Sequence, residues 1–330
     1  MTLLPRYFIA ALLGAAAVCL PLHANSQAGQ AGQAFPSKPI RLFVGYVPGG
    51  GTDIIARLAA QHLSTRLGQP VLVENRPGAG GNIASEIVAS AAPDGYTLLL
   101  APNTVTINPF LFKKAGVDVA RELRGVGMIA TSPIVLVTSL SSPVASLAEL
   151  IAYAKQNPGK LSYGTPGIGT PQHLAVELLK SMAGLDLVHV PYKGSAQSLS
   201  DLLGGQIQLV SAAINSAQPF IKSGKLRGLA VGEARRVSAL KELPTVGETV
   251  KGYEVGIWYG IMAPAQTPRD IVARINQELM KAVASPDMAE KMSAQGYENI
   301  AGSPEDMDTT VRGDLEKWGK VVKAAGIIPE

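Results

Sequence analysis

Two glycine-rich turns, each set between an apolar run and a helical stretch, constrain this chain more than any other feature. The first, Tyr46-Val47-Pro48-Gly49-Gly50-Gly51-Thr52-Asp53, directly follows the apolar run Ile40 to Val44. The second, Tyr163-Gly164-Thr165-Pro166-Gly167-Ile168-Gly169-Thr170, precedes a helical segment that begins near His173. Glycine lets a backbone approach a ligand closely, and the first turn of the following helix offers free N–H groups that favour an anion. Two such junctions, far apart in sequence, imply two lobes that each present donors to one small anionic molecule. That pattern describes a clamp more than a catalyst.

The 330 residues suffice for two compact domains with their own cores. A hydrophobic content of 47% with 5% aromatics suits an α/β fold and excludes a disordered chain, which carries more charge. The N-terminus stands apart. Arg6 precedes an apolar stretch from Phe8 to Leu22, and Leu22-His23-Ala24 ends in a small residue, so residues 1–24 read as a secretory signal peptide. The stretch is shorter than the roughly 20 residues a spanning helix needs. Residues 25–35, with their Ala-Gly-Gln repeats, read as a flexible leader. Cys19, the one cysteine, lies inside the signal peptide behind Val18 instead of the small residue of a lipoprotein site. The mature chain then has no thiol, which excludes disulfides, cysteine nucleophiles and thiolate metal sites. Without Arg6, 28 basic residues face 25 acidic ones, a balance too mild and dispersed for nucleic acid.

Short apolar runs alternate with amphipathic stretches, the pattern of βα units. Ile40–Tyr46 is strand-like, and Asp53–Leu67 places Ile54, Ile55, Leu58, Leu63 and Leu67 on one helical stripe ended by Gly68. The strand Val71–Glu74 runs into Arg76-Pro77-Gly78-Ala79-Gly80-Gly81 and a helix holding Ile83, Ile87 and Val88, before the strand Tyr96–Leu100. A buried strand pair is expected around Gly127–Val137. Beyond it come helices over Leu147–Gln156, Leu174–Met182 and Ser195–Leu203, with strands at Leu161–Tyr163, Leu187–Val190, Ile207–Val210 and Leu226–Val231. An apolar stretch over 253–263 carries the chain back to the first lobe, and helices follow Thr267-Pro268 and Ser303-Pro304. The domain reading is lobe 1 over 36–135 plus 255–330 and lobe 2 over 136–254, with hinge crossings near 135 and 255.

The two junctions, together with Val73-Glu74-Asn75-Arg76-Pro77-Gly78-Ala79-Gly80-Gly81, Pro93-Asp94-Gly95-Tyr96-Thr97-Leu98 and Pro171-Gln172-His173-Leu174, resemble one family in their order. It is the Bug-type extracytoplasmic solute receptors of tripartite tricarboxylate transporters. Val190-Pro191-Tyr192-Lys193-Gly194, Leu202-Leu203-Gly204-Gly205-Gln206 and Gly224-Lys225-Leu226-Arg227-Gly228-Leu229-Ala230-Val231 extend the resemblance from about residue 37 to the C-terminus. It implies a two-lobed periplasmic binding protein of the Venus-flytrap, type II-like kind, each lobe a mostly parallel sheet flanked by helices. It further implies a receptor that holds a small mono- or dicarboxylate in the periplasm and delivers it to a membrane permease; a monomer is the default expectation, and neither cofactor nor metal is expected.

Site residues follow from the junctions. Gly50, Gly51 and Thr52 supply first-lobe donors, Tyr46 walls the pocket, and Asn103 and Thr104 add polar contacts after a strand. Asp53 admits two readings, a brace at the helix N-terminus or a partner for a ligand's ammonium group. Thr165, Gly169 and Thr170 are the second-lobe counterparts, and His173 is either a cleft residue or a packed histidine. Arg76 and Lys193 read as surface cations. Amino-acid-binding members of the family place an Asp where Ala212 aligns, so an uncharged floor points to a plain carboxylate.

A receptor that feeds a signalling membrane protein instead of a permease is one rival, which the sequence does not separate from uptake; a secreted α/β hydrolase is the other. It needs a nucleophile, a base and an orienting acid. The sequence has no Gly-x-Ser-x-Gly elbow, no full phosphate loop and no dinucleotide turn after a strand. Of the histidines beyond the signal peptide, His62 falls mid-helix and His189 in an apolar strand.

Overall fold

The computed structural model describes residues 35–113 and 116–329. The expected signal peptide and all but the last residue of the expected leader lie outside them. Ten strands carry the described fold: β1 (Ile40–Val44), β2 (Val71–Asn75), β3 (Thr97–Pro102), β4 (Leu123–Ser139), β5 (Ser162–Thr165), β6 (Val188–Pro191), β7 (Leu209–Ala213), β8 (Leu226–Val231), β9 (Gly256–Pro264) and β10 (Glu298–Gly302).

β1 is apolar at four of its five positions because helices cover both faces of its sheet, and all four are buried. The helix Gly51–Leu67 turns Ile55, Ala56, Ala59, Ala60 and Leu63 inward, its alanines allowing close approach to the sheet, and leaves Ile54 and Leu58 half-buried. Gly68 ends it in the left-handed region (φ 70°), donating its N–H to Ser64 O at 3.1 Å.

Two sheets share one strand. In the first, β2, β1 and β3 are parallel neighbours, and β3, β9, β4 and β10 continue antiparallel. In the second, β6, β5 and β7 are parallel, while β7 and β8 pair antiparallel with β4. β4 spans both, pairing Pro133 with Gly256 in the first sheet and Ile134 with Ala213 in the second. The expectation of mostly parallel sheets therefore holds only for strands joined through helices. β4 carries the chain out of the first sheet and β9 brings it back alongside, so the two must run in opposite directions.

The expected strand pair at Gly127–Val137 is this single strand of 17 residues. Pro133 resembles a break but stands where the partner strands change. Each sheet has its own core, one around Phe43, Leu99, Trp258, Met262 and Met307 and one around Val137, Val210, Leu226 and Val231. The halves also touch away from β4. The helix Pro304–Ala324 packs on the helix Pro171–Ala183, and Ser238 donates both N–H and hydroxyl to Glu298 Oε1, at 2.6 and 3.0 Å.

Candidate functional site

After β1 the chain turns through Gly49 (φ 81°) into the helix Gly51–Leu67, whose cap residue Gly50 contributes no side-chain hydrogen bond. An α-helix leaves its first amides without an internal acceptor, here those of Gly51, Thr52 and Asp53. Asp53 does not offer its charge to a ligand. Its Oδ2 accepts from Gly49 N–H and Arg57 Nε, both at 2.9 Å, and its Oδ1 accepts from Asn75 Nδ2 at 2.8 Å. Burial pushes its carboxyl up, but Arg57, Gly49 and Asn75 together hold it below the usual carboxylate range. Of the two readings of Asp53, the geometry describes the brace.

Two phenols that sequence reasoning missed stand over Gly51. Tyr259 on β9 and Tyr297, just before β10, meet edge to face with ring centroids 5.7 Å apart. A β-carbon at Gly51 would collide with Tyr297 Oη and lie 3.9 Å from Tyr259 Oη, so space demands glycine here. Both tyrosines are buried, yet neither hydroxyl has a hydrogen-bond partner among the described residues. Burial pushes both phenols up, and each remains a neutral donor. The signal that could have led to them was the third consecutive glycine, a position that the turn itself does not require.

Tyr46 is engaged differently. It donates its hydroxyl proton to Gly80 O at 2.9 Å, so Thr104 Oγ1, 2.5 Å away, must be the donor of their mutual bond. Asn108 Nδ2 reaches Gly80 O at 3.0 Å and Asn82 Oδ1 at 2.8 Å. Together Tyr46, Gly80, Gly81, Ser85, Thr104 and Asn108 help line a cavity of about 10 Å³, room for about one water. Asn103 is buried beside them. Its Nδ2 donates to Gly256 O at 2.9 Å, while its Oδ1 has no partner.

The second junction meets most of its hydrogen bonds within its own loop. Gly169 gives its N–H to His173 Nδ1 at 3.1 Å, and a β-carbon on it would collide with Leu111. Thr170 caps the helix Pro171–Ala183, accepting from His173 N–H at 3.3 Å and donating to Gly167 O at 2.8 Å. Thr165 is fully buried, with its hydroxyl 2.7 Å from His189 Nε2. His173 is the packed histidine of the two readings. Its ring stacks on His189 at 3.9 Å, and burial, then Lys180, lowers it to about 4. Capping and cleft-lining draw on the same residue types, so the motif could not separate them. The Ile168 N–H stays without a partner.

Ala212 also differs from expectation. It lies in the second core with Val210 and Ile214, because alternation along β7 turns it away from Ser211, so it floors no pocket. Arg76 pairs with Glu74 at 3.2 Å, and Lys193 is exposed. The junctions meet the same segment of the first half, since Thr104 bonds Tyr46 and Leu111 packs on Gly169. A second approach lies beside Tyr297, where Gly296 (φ 76°) packs against Asn215 and Ile214 at the start of the helix Ile214–Lys222.

Among the described residues no group of His, Cys, Asp and Glu could hold a metal, and no helix is long and apolar enough to cross a membrane. Residues 55–327 match the family model described as Tripartite tricarboxylate transporter family receptor. Protein BugT of Bordetella pertussis is 34% identical over 297 residues, 88% of this chain and 90% of that one. R. palustris Rpa4515, solved with adipate, is 38% identical, with a TM-score of 0.74 over 90% of this chain and 100% of that one. MatC (Rpa3494) of Rhodopseudomonas palustris, solved with bound malate, is 28% identical, with a TM-score of 0.71 over 87% and 100%.

Proposed function

Since the chain belongs to the tripartite tricarboxylate transporter receptor family, we propose that it captures a small organic carboxylate between two lobes and delivers it to a membrane permease of that transporter type. The observation that carries this reading is the open end of the helix Gly51–Leu67, whose first amides have no acceptor within the helix and where two partnerless phenols lie over the α-carbon side of Gly51. Such an end attracts an anion without a fixed positive charge. The lobes are 36–135 plus 255–330 and 136–254, hinged where β4 and the return to β9 pass between the sheets. Tyr46, Gly50, Gly51, Thr52, Asn103 and Thr104 form the first-lobe wall, and the loop around Gly169 faces it from the second.

The ligand is a plain mono- or dicarboxylate. Asp53 is taken up by its own loop, so it offers no free acid to an amino group. Relatives solved with adipate and malate agree with this class. The protein works as a monomer in the periplasm, after loss of residues 1–24, and binds without turnover. A hydrolase would need a reachable hydroxyl beside its base, and the Thr165 hydroxyl near His189 is sealed inside the fold.

A thermal-shift screen tests the reading. Binding to the folded state alone raises stability by about 2.7 kcal/mol at a hundredfold excess over Kd. Adipate, malate or a close homologue is expected to raise the melting temperature, while glucose and calcium chloride are expected to leave it unchanged. A shift with sugars or metal ions, and none with any carboxylate, overturns the ligand class.

A further inference from the structure

We propose that Tyr259 and Tyr297 are specificity-determining residues whose hydroxyls, with the amides of Gly51 and Thr52, form an uncharged four-donor set for one ligand carboxylate. The inference rests on the receptor reading above and says which groups in that site do the recognising. Three observations carry it.

The first is the unmet hydrogen-bonding capacity of the phenols. Tyr297 is 4% exposed and Tyr259 7%, yet neither hydroxyl is bonded to protein. A polar group held among apolar neighbours without a partner costs stability. Neither oxygen is among the fully sealed partnerless atoms of the interior, so both keep a small exposed surface.

The second is their aim. Both oxygens converge on the space above Gly51, at the positive end of a helix of 17 residues. A carboxylate has about four lone-pair positions, which two amides and two phenols would fill. A carboxamide would set its own N–H groups against some of these donors, so the arrangement selects an acid over its amide.

The third is the tie to the other half of the molecule. Gly296, the residue before Tyr297, packs on Asn215 and Ile214 of the helix Ile214–Lys222. A carboxylate gripped by Tyr297 is thereby held against an element that both halves share in positioning. Ligand contact and contact between the halves depend on the same two residues of backbone.

Tyr297→Phe and Tyr259→Phe remove one oxygen each and test the proposal by calorimetric titration with adipate and malate, with ligand-free melting measured in parallel. The free hydroxyls bond nothing in the protein, so melting is expected to stay near the wild-type value. Affinity for the acid that binds is expected to fall about tenfold or more per hydroxyl, as for hydrogen bonds to a charged group. Wild-type and both phenylalanine variants binding that acid equally well overturns the proposal and leaves the receptor reading intact. Wild-type protein that binds no small carboxylate overturns both. A second measurement guards against misfolded variants: wild-type protein is expected to bind adipate far more tightly than its diamide, and equal binding contradicts the donor set.

Discussion

Asp53 shows what a single residue can and cannot disclose. Its place in the first turn after three glycines marks a helix start, and that much is legible from the helix dipole alone. Which way the carboxylate points is decided by Asn75 and Arg57, one of them on a neighbouring strand, and no spacing within the motif reveals it. Asp53→Asn is expected to cost about 1–3 kcal/mol at neutral pH, the range for losing hydrogen bonds to a buried charge. The sign of its pH dependence follows from the lowered carboxyl. Its stabilisation is present above the unfolded value of 3.8 and is lost as pH falls through the lower folded value. The gap between wild type and variant in urea denaturation should therefore shrink in acid, and a constant gap would deny the ionised brace. Gly51 was legible as part of a glycine turn that opens a helix. Tyr259 and Tyr297 were not, because the space they fill is defined by strands more than two hundred residues away in sequence.

Elements were read more securely than their partners. The helix Leu147–Gln156, the helix Ser195–Leu203 and the strand Leu226–Val231 lie where periodicity and turn residues put them. The helix Ile214–Lys222 was missed because Pro219 inside it resembles a breaker, and β10 because its residues alternate in burial on an edge with little apolar content. The stacked histidines belong to this scale, since β6 and the helix Pro171–Ala183 each supply one. Burial lowers both to about 4, with Lys180 adding to the effect at His173 and His173 at His189. A base whose folded pKa is lowered from 6.5 binds more protons when unfolded, so stability is complete above pH 6.5 and declines as pH falls toward about 4. His173→Asn keeps an acceptor for the Gly169 N–H without the titration. Its melting temperature is expected to fall less than that of the wild type across this window, and parallel curves would show that the histidine stack does not govern acid stability.

At the scale of the molecule, alternating strand and helix signals announced two α/β halves, and the glycine junctions fall at the starts of the helices Gly51–Leu67 and Pro171–Ala183. The shared strand was hidden by Pro133, whose missing N–H is tolerated where one partner ends and another begins. The hydrogen bonds within the second junction were not legible from its motif. Its threonines and histidine bond within the loop, and the Ile168 N–H is left without a partner. The decisive measurement is a crystal structure of the protein grown with adipate. One carboxylate is expected within hydrogen-bonding distance of the Gly51 and Thr52 amides and the hydroxyls of Tyr259 and Tyr297, with its far end toward the second sheet. Adipate bound elsewhere, with the end of the helix Gly51–Leu67 open to solvent alone, would contradict the account.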